Sequence, residues 1–140
     1  MARNYIMRLF VVSILFMLLI SCAKGPFTKN GEALRGTWVW VRTDGGFGNQ
    51  IHETPASTGK KISWVFTAGN TYKIYQNGQL YSGGTYQLIQ RECIHDRTSK
   101  KWIDFSTPTD RDMMIESQSG KTINLSDEMY DGLGSEFAVK

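Results

Sequence analysis

The chain has 140 residues, 41% hydrophobic and 21% charged, with 14 glycines against 3 prolines, a composition that suits one turn-rich globular domain and argues against disorder. Its formal charge is +3, but setting aside Arg3 and Arg8 of the acid-free first segment leaves 14 basic against 13 acidic residues. No Lys/Arg run exceeds Lys60-Lys61 or Lys100-Lys101, so nothing in the charge pattern favours nucleic acid.

The chain opens with the short basic stretch "MARNYIMR", followed by the uninterrupted apolar run Leu9 to Ile20, "LFVVSILFMLLI". A membrane-spanning helix needs about 20 such residues. This run is too short for that and has the length of a signal-peptide core. It ends at Leu19-Ile20-Ser21-Cys22: an aliphatic residue, a small residue at the cut site, then a thiol.

That pattern resembles the lipobox of bacterial lipoproteins. The resemblance implies a signal peptide over residues 1–21, lipidation of Cys22 and a tether over 22–33 that includes "PFTKNGE". The thiol would take a diacylglyceryl group as a thioether, and acylation (palmitate) of the new amino terminus would add a further chain. Several chains give a stable anchor where one is marginal. Ala23 is not the aspartate of inner-membrane retention, and no acidic cluster follows of the kind that marks surface export. The expected location is therefore the outer membrane of a Gram-negative bacterium, facing the periplasm.

With Cys22 lipidated, Cys93 is the only remaining thiol, which leaves no intramolecular disulfide. Nothing in "QRECIHDR" marks Cys93 as activated, and it reads as an incidental cysteine.

From residue 34 onward the pattern is β throughout. The expected strands are Thr37 to Thr43, Ile62 to Thr67, Thr71 to Gln76, Leu80 to Ile89, Lys101 to Ser106, Asp112 to Ser117, Lys121 to Ser126 and Ser135 to Val139, each bounded by Gly, Asn, Asp or Pro. No sustained helical period occurs, so at most a turn or two of helix is expected, near Ala33 or Glu128.

The turns predict the registers. Ala68-Gly69-Asn70 pairs Phe66 with Tyr72 and Trp64 with Ile74, and Asn77-Gly78 pairs Gln76 with Gln79, Ile74 with Tyr81 and Tyr72 with Gly83. One face then receives Trp64, Phe66, Tyr72, Ile74 and Tyr81; the other receives Ser63, Val65, Lys73, Tyr75 and Ser82. A bulge at Gly83-Gly84 brings Tyr86 and Leu88 back to the apolar face. Gln118-Ser119-Gly120 pairs Ile115 with Ile123 and Met113 with Leu125, leaving Glu116, Thr122 and Asn124 outside.

Eight short strands joined by tight turns predict a single antiparallel up-and-down β-barrel over 34–140. Gly36-x-Trp38 at the start of the first strand is similar to the lipocalin signature. The order of "GTWVWV", "TPASTGKKISWVF", "GNTYKIYQNGQ", "GGTYQL", "IDF" and "INLSDEMYDGLGSEFAVK" resembles the small lipocalin-like lipoproteins of Bacteroidetes. The resemblance implies that Trp38 closes the barrel base under a stacked arginine; here no arginine follows Arg111, so either Lys140 substitutes or the base is closed differently.

No catalytic motif is present, so the chain is expected to be no enzyme and to need no cofactor. His52-Glu53 and His95-Asp96 lack metal-site spacing, Asp110-Arg111-Asp112 is too short for a calcium loop, "DGGFGNQ" lacks the Lys-Ser/Thr of a phosphate cradle, and no serine sits in a nucleophile elbow. Trp38, Trp40, Trp64, Phe66, Tyr72, Tyr81, Tyr86 and Phe105 are the ligand-cavity candidates. They predict either a pocket for a small hydrophobic ligand or a barrel filled by its own rings, because eight strands leave room for side chains or for one small ligand. In the filled case the outer surface would act as a protein-interaction or inhibitory module. The 44–58 loop is expected at the mouth, with Trp64 near it.

Overall fold

A computed structural model describes residues Leu34 to Lys140. The signal segment 1–21, the lipidation site Cys22 and the tether to residue 33 lie outside the described residues. Nine strands are present: β1 (Gly36–Gly45), β2 (Ile51–Glu53), β3 (Ile62–Phe66), β4 (Thr71–Gln76), β5 (Gln79–Glu92), β6 (Ser99–Phe105), β7 (Met113–Gln118), β8 (Thr122–Ser126) and β9 (Leu133–Val139). All pairings are antiparallel, in the order β1-β3-β4-β5-β6-β7-β8-β9, and β9 returns to β1 from Trp38↔Val139 to Gly45↔Leu133. Eight strands thus close into a barrel, as the turn pattern predicts.

The 44–58 segment holds more structure than a loop. A 3-10 turn (Phe47–Asn49) leads to β2, which pairs with β1 beyond the reach of β3 (Thr43↔Glu53 to Gly45↔Ile51), and a helical turn, α1 (Pro55–Thr58), follows. Thr54 and Ser57 cap α1 reciprocally. Every residue of β2 is exposed, so no alternation betrays it in the sequence.

Inside the barrel, Trp38, Trp40, Phe66, Tyr72, Tyr86, Phe105 and Phe137 form one buried core with Leu34, Ile74, Ile103, Ile123 and Leu125. The rings meet edge-on or tilted: Tyr72 to Phe105 at 4.5 Å, Phe66 to Tyr86 at 4.9 Å and Trp64 to Phe137 at 4.9 Å. Leu34, with no exposed surface, caps the Trp38 end, and its carbonyl accepts the Trp38 indole N–H at 2.7 Å. The indole's polar edge is therefore satisfied by the chain's own entry segment. Lys140 closes the same end through its backbone, its N–H donating to the Thr37 carbonyl at 3.0 Å.

Two registers differ from expectation. The extra residue of the β4–β5 hairpin is Tyr81, because Tyr75 pairs with Leu80 and Ile74 with Ser82. Tyr81 is consequently 71% exposed and leaves the set of interior candidates, while Ser82 turns inward. Gly84 explains the position of the slip. A Cβ there would lie 2.6 Å from Thr107 Oγ1 and 2.8 Å from Ser106 Oγ, so this inward site admits only glycine, and period-two parity then requires Ser82 inside.

In the β7–β8 hairpin the extra residue is Glu116. Ile115 therefore faces Leu125 and Gln118 faces Ile123, in place of the expected Ile115–Ile123 and Met113–Leu125 pairs. Ile115 and Ile123 still belong to the core, Ile123 fully and Ile115 half-buried.

Outside the wall, Trp102, Met114 and Cys93 form a second buried cluster with Ile89 against it, and the Arg91 guanidinium lies 4.7 Å over the Trp102 ring. Cys93 is thus a structural apolar residue. The adjoining β6–β7 ladder has two residue pairs, Trp102↔Met114 and Ile103↔Met113, and the β5–β6 hairpin tip swings toward residues 127–132.

Candidate functional site

Seven of the eight cavity candidates line the barrel interior, and they fill it. Trp38, Trp40, Phe66, Tyr72, Tyr86 and Phe105 are buried against one another, and Trp64 is the one inward ring left half-buried. It borders a recess of about 190 Å³ with Ile74, Phe105, Met113 and the loop residues Thr109, Asp110 and Arg111. Pockets that enclose a small molecule usually measure ~300–1,000 Å³. The opening beside Trp64 is bounded by the β6–β7 loop, 106–112, in place of the expected 44–58 segment.

That loop is seated by polar contacts. The Tyr72 and Ser82 hydroxyls both donate to Oδ2 of Asp110. Thr107 Oγ1 donates to the Gly83 carbonyl at 3.1 Å, and Ser106 Oγ accepts the Thr85 N–H at 3.0 Å. Arg111 pairs at 2.8 Å with Asp127, whose other oxygen accepts the Leu133 N–H. Burial, then the bond to Asp110, pushes the Tyr72 phenol above its ordinary value of 10.0; burial does the same to Tyr86.

A second feature was missed by the sequence pattern. Three loops carry large apolar side chains into solvent: Phe47 (82% exposed) and Ile51 (38%) before and in β2, Ile94 (37%) at the β5–β6 tip, and Met129 (56%) and Tyr130 (82%) between β8 and β9. These loops are joined. Gly46 N–H donates to the Gly132 carbonyl at 3.1 Å, Glu128 accepts the Ile94 N–H, and His95 meets the Tyr130 ring edge-on at 5.3 Å. Two grooves of about 300 and 200 Å³ flank them and have Glu116 and Gly134 as common lining residues, one reaching Tyr130 and the other Arg42. The clue in the sequence is bulky apolar residues set in Gly/Asp-rich turns, "GGFG" and "DEMYDG".

The two histidines do not meet at a metal site. His52 bonds Asp44 at 2.8 Å, His95 packs on Tyr130, and among the described residues no group of three or more His, Cys, Asp or Glu is placed to hold a metal ion. Asp96 is held well below the usual carboxylate range by the Thr98 backbone N–H and hydroxyl, with the Lys100 ammonium 3.2 Å away. This stiffens the β5–β6 tip that carries Ile94 and His95. No protein-family model, no curated protein and no solved structure matches the chain.

Proposed function

We propose that this protein is a non-catalytic, lipid-anchored periplasmic interaction module, held at the outer membrane through Cys22, whose filled lipocalin-like barrel presents the three-loop apolar edge to a protein partner. The observation that carries this reading is a barrel interior filled by rings beside a joined set of exposed large apolar side chains. Contiguous exposed apolar surface on a small domain marks interaction sites, and aromatic anchors dominate binding energy there. The chemistry of the partner follows from the fringe. Asp127, Glu128 and Asp131 surround Met129 and Tyr130, and Arg111 neutralises Asp127 alone. An apolar face rimmed by Lys or Arg complements this edge, whereas an anionic membrane surface would be repelled by it.

A photo-crosslinking residue at position 130, compared with one at exposed position 81 on the β4–β5 hairpin, tests the proposal in intact envelopes. A discrete protein adduct is expected from position 130 only, weakened by Phe47→Ser and by added salt. Absence of any discrete adduct, or equal adducts from both positions, overturns it. The alternative, a carrier of a small hydrophobic ligand, is favoured by the recess beside Trp64.

A further inference from the structure

We propose that the recess under the 106–112 loop binds a small organic cation, a single-ring arylalkylamine, with Asp110 as its counter-ion. This site is distinct from the three-loop edge, to which its rim is tied by the Arg111–Asp127 pair.

The recess has three chemical properties. Its walls are Trp64, Ile74, Phe105 and Met113, so it offers two aromatic rings, set edge to face at 5.6 Å, and two aliphatic surfaces. Its rim carries a carboxylate, Asp110, whose Oδ2 takes both protein donors, the Tyr72 and Ser82 hydroxyls. No described residue donates to Oδ1, which is left for an incoming N–H. The rim's own cation, Arg111, is engaged by Asp127 at 2.8 Å, and so does not neutralise Asp110.

A carboxylate favours a positive charge and disfavours an anion, and an aromatic ring does the same where it turns its face to the ligand. The half-buried state of Trp64, when every other inward ring is buried, marks where the ring of a ligand would complete the packing. Size sets the other limit. At about 190 Å³ the recess accommodates one ring and a short arm but no acyl chain. The loop is fixed from both sides, by Thr107 on Gly83 and by Asp112 on the Phe105 N–H at 3.2 Å, so the carboxylate is positioned before a ligand arrives.

The test is a calorimetric titration of the detergent-solubilised full chain with 2-phenylethylamine, 2-phenylethanol and 3-phenylpropionate, repeated on Asp110→Asn. Asparagine can still offer one oxygen to Tyr72 and Ser82, but it removes the charge and puts an NH2 donor in place of Oδ1, so both the counter-ion and the acceptor for an incoming N–H are lost. The wild type is expected to bind the amine at least about tenfold more tightly than the alcohol, with the propionate weakest. Asp110→Asn should abolish the preference between amine and alcohol. In wild-type NMR spectra the amine should shift the Trp64 indole N–H resonance and leave that of Trp38 in place, a readout that needs no variant. Equal affinity for amine and alcohol, a preference that survives Asp110→Asn, or an unmoved Trp64 resonance would each overturn the site.

Discussion

Gly84 stands where a Cβ would meet the side chains that seat the 106–112 loop. With hydrogen alone on its inward side it lets Thr107 and Ser106 seat the 106–112 loop at the barrel mouth, and Tyr72 lies 3.4 Å from where a Cβ would stand. Gly84→Ala should therefore cost about 1–3 kcal/mol, the usual effect of adding a methyl to a filled site, and should also shift the Trp64 emission as the loop lifts. Gly69, in the β3–β4 turn, has nothing within 4 Å of its Cβ position, so Gly69→Ala should change stability by less than about 0.5 kcal/mol. Urea midpoints of the two variants give the comparison, and equal losses would refute the account of Gly84.

At the level of strands and hairpins, the eight barrel strands were legible because each is a short run rich in aromatic and β-branched residues between turn residues, and because Asn70 and Asn77 hold the positive φ that their turns demand (53° and 52°). The bulge in β5 was legible as a parity slip between Tyr81 and Tyr86, but it falls at Tyr81 and not at the expected Gly83-Gly84; the one at Glu116 was not legible, and both positions are fixed by partners far away in sequence, the 106–112 loop for one and β9 behind β8 for the other. β2 escaped because it buries nothing. Of the candidate site, Trp64 and its neighbours were legible as rings on a strand face. Asp110 and the residues Phe47, Met129 and Tyr130 were not, because their setting is created by loops meeting in space. The corrected register makes its own prediction. Ile123→Ala should cost about 2–5 kcal/mol as a core truncation. Tyr81→Ala, in a position the original pattern placed inside, should cost less than about 0.5 kcal/mol. A large loss at Tyr81 in chemical unfolding would restore the register that the bulge replaces.

Across the whole molecule, β1 sets the entry of the chain and the three-loop apolar edge apart. The chain enters the barrel at Leu34, beside the start of β1, and ten residues later β1 ends at Gly45, next to Leu133 and the 127–132 loop. Ten strand residues span about 33 Å, so under the proposed anchoring Phe47, Met129 and Tyr130 lie one barrel length from the point where the chain enters, and the proposed partner would meet them there. Restriction to the membrane raises the effective concentration of a partner held there too. Cys22→Ala should then have two separable consequences. The variant should incorporate no labelled palmitate and leave the mature outer-membrane fraction, either as unprocessed precursor or as released protein. Its barrel should keep the wild-type urea midpoint, because the substitution lies outside the barrel domain 34–140, yet the adduct from position 130 should fall with the loss of membrane confinement. Palmitate labelling that persists in Cys22→Ala would remove the anchor from this scheme. Loss of labelling with an undiminished adduct would leave the interaction edge standing and show that it works free of the membrane.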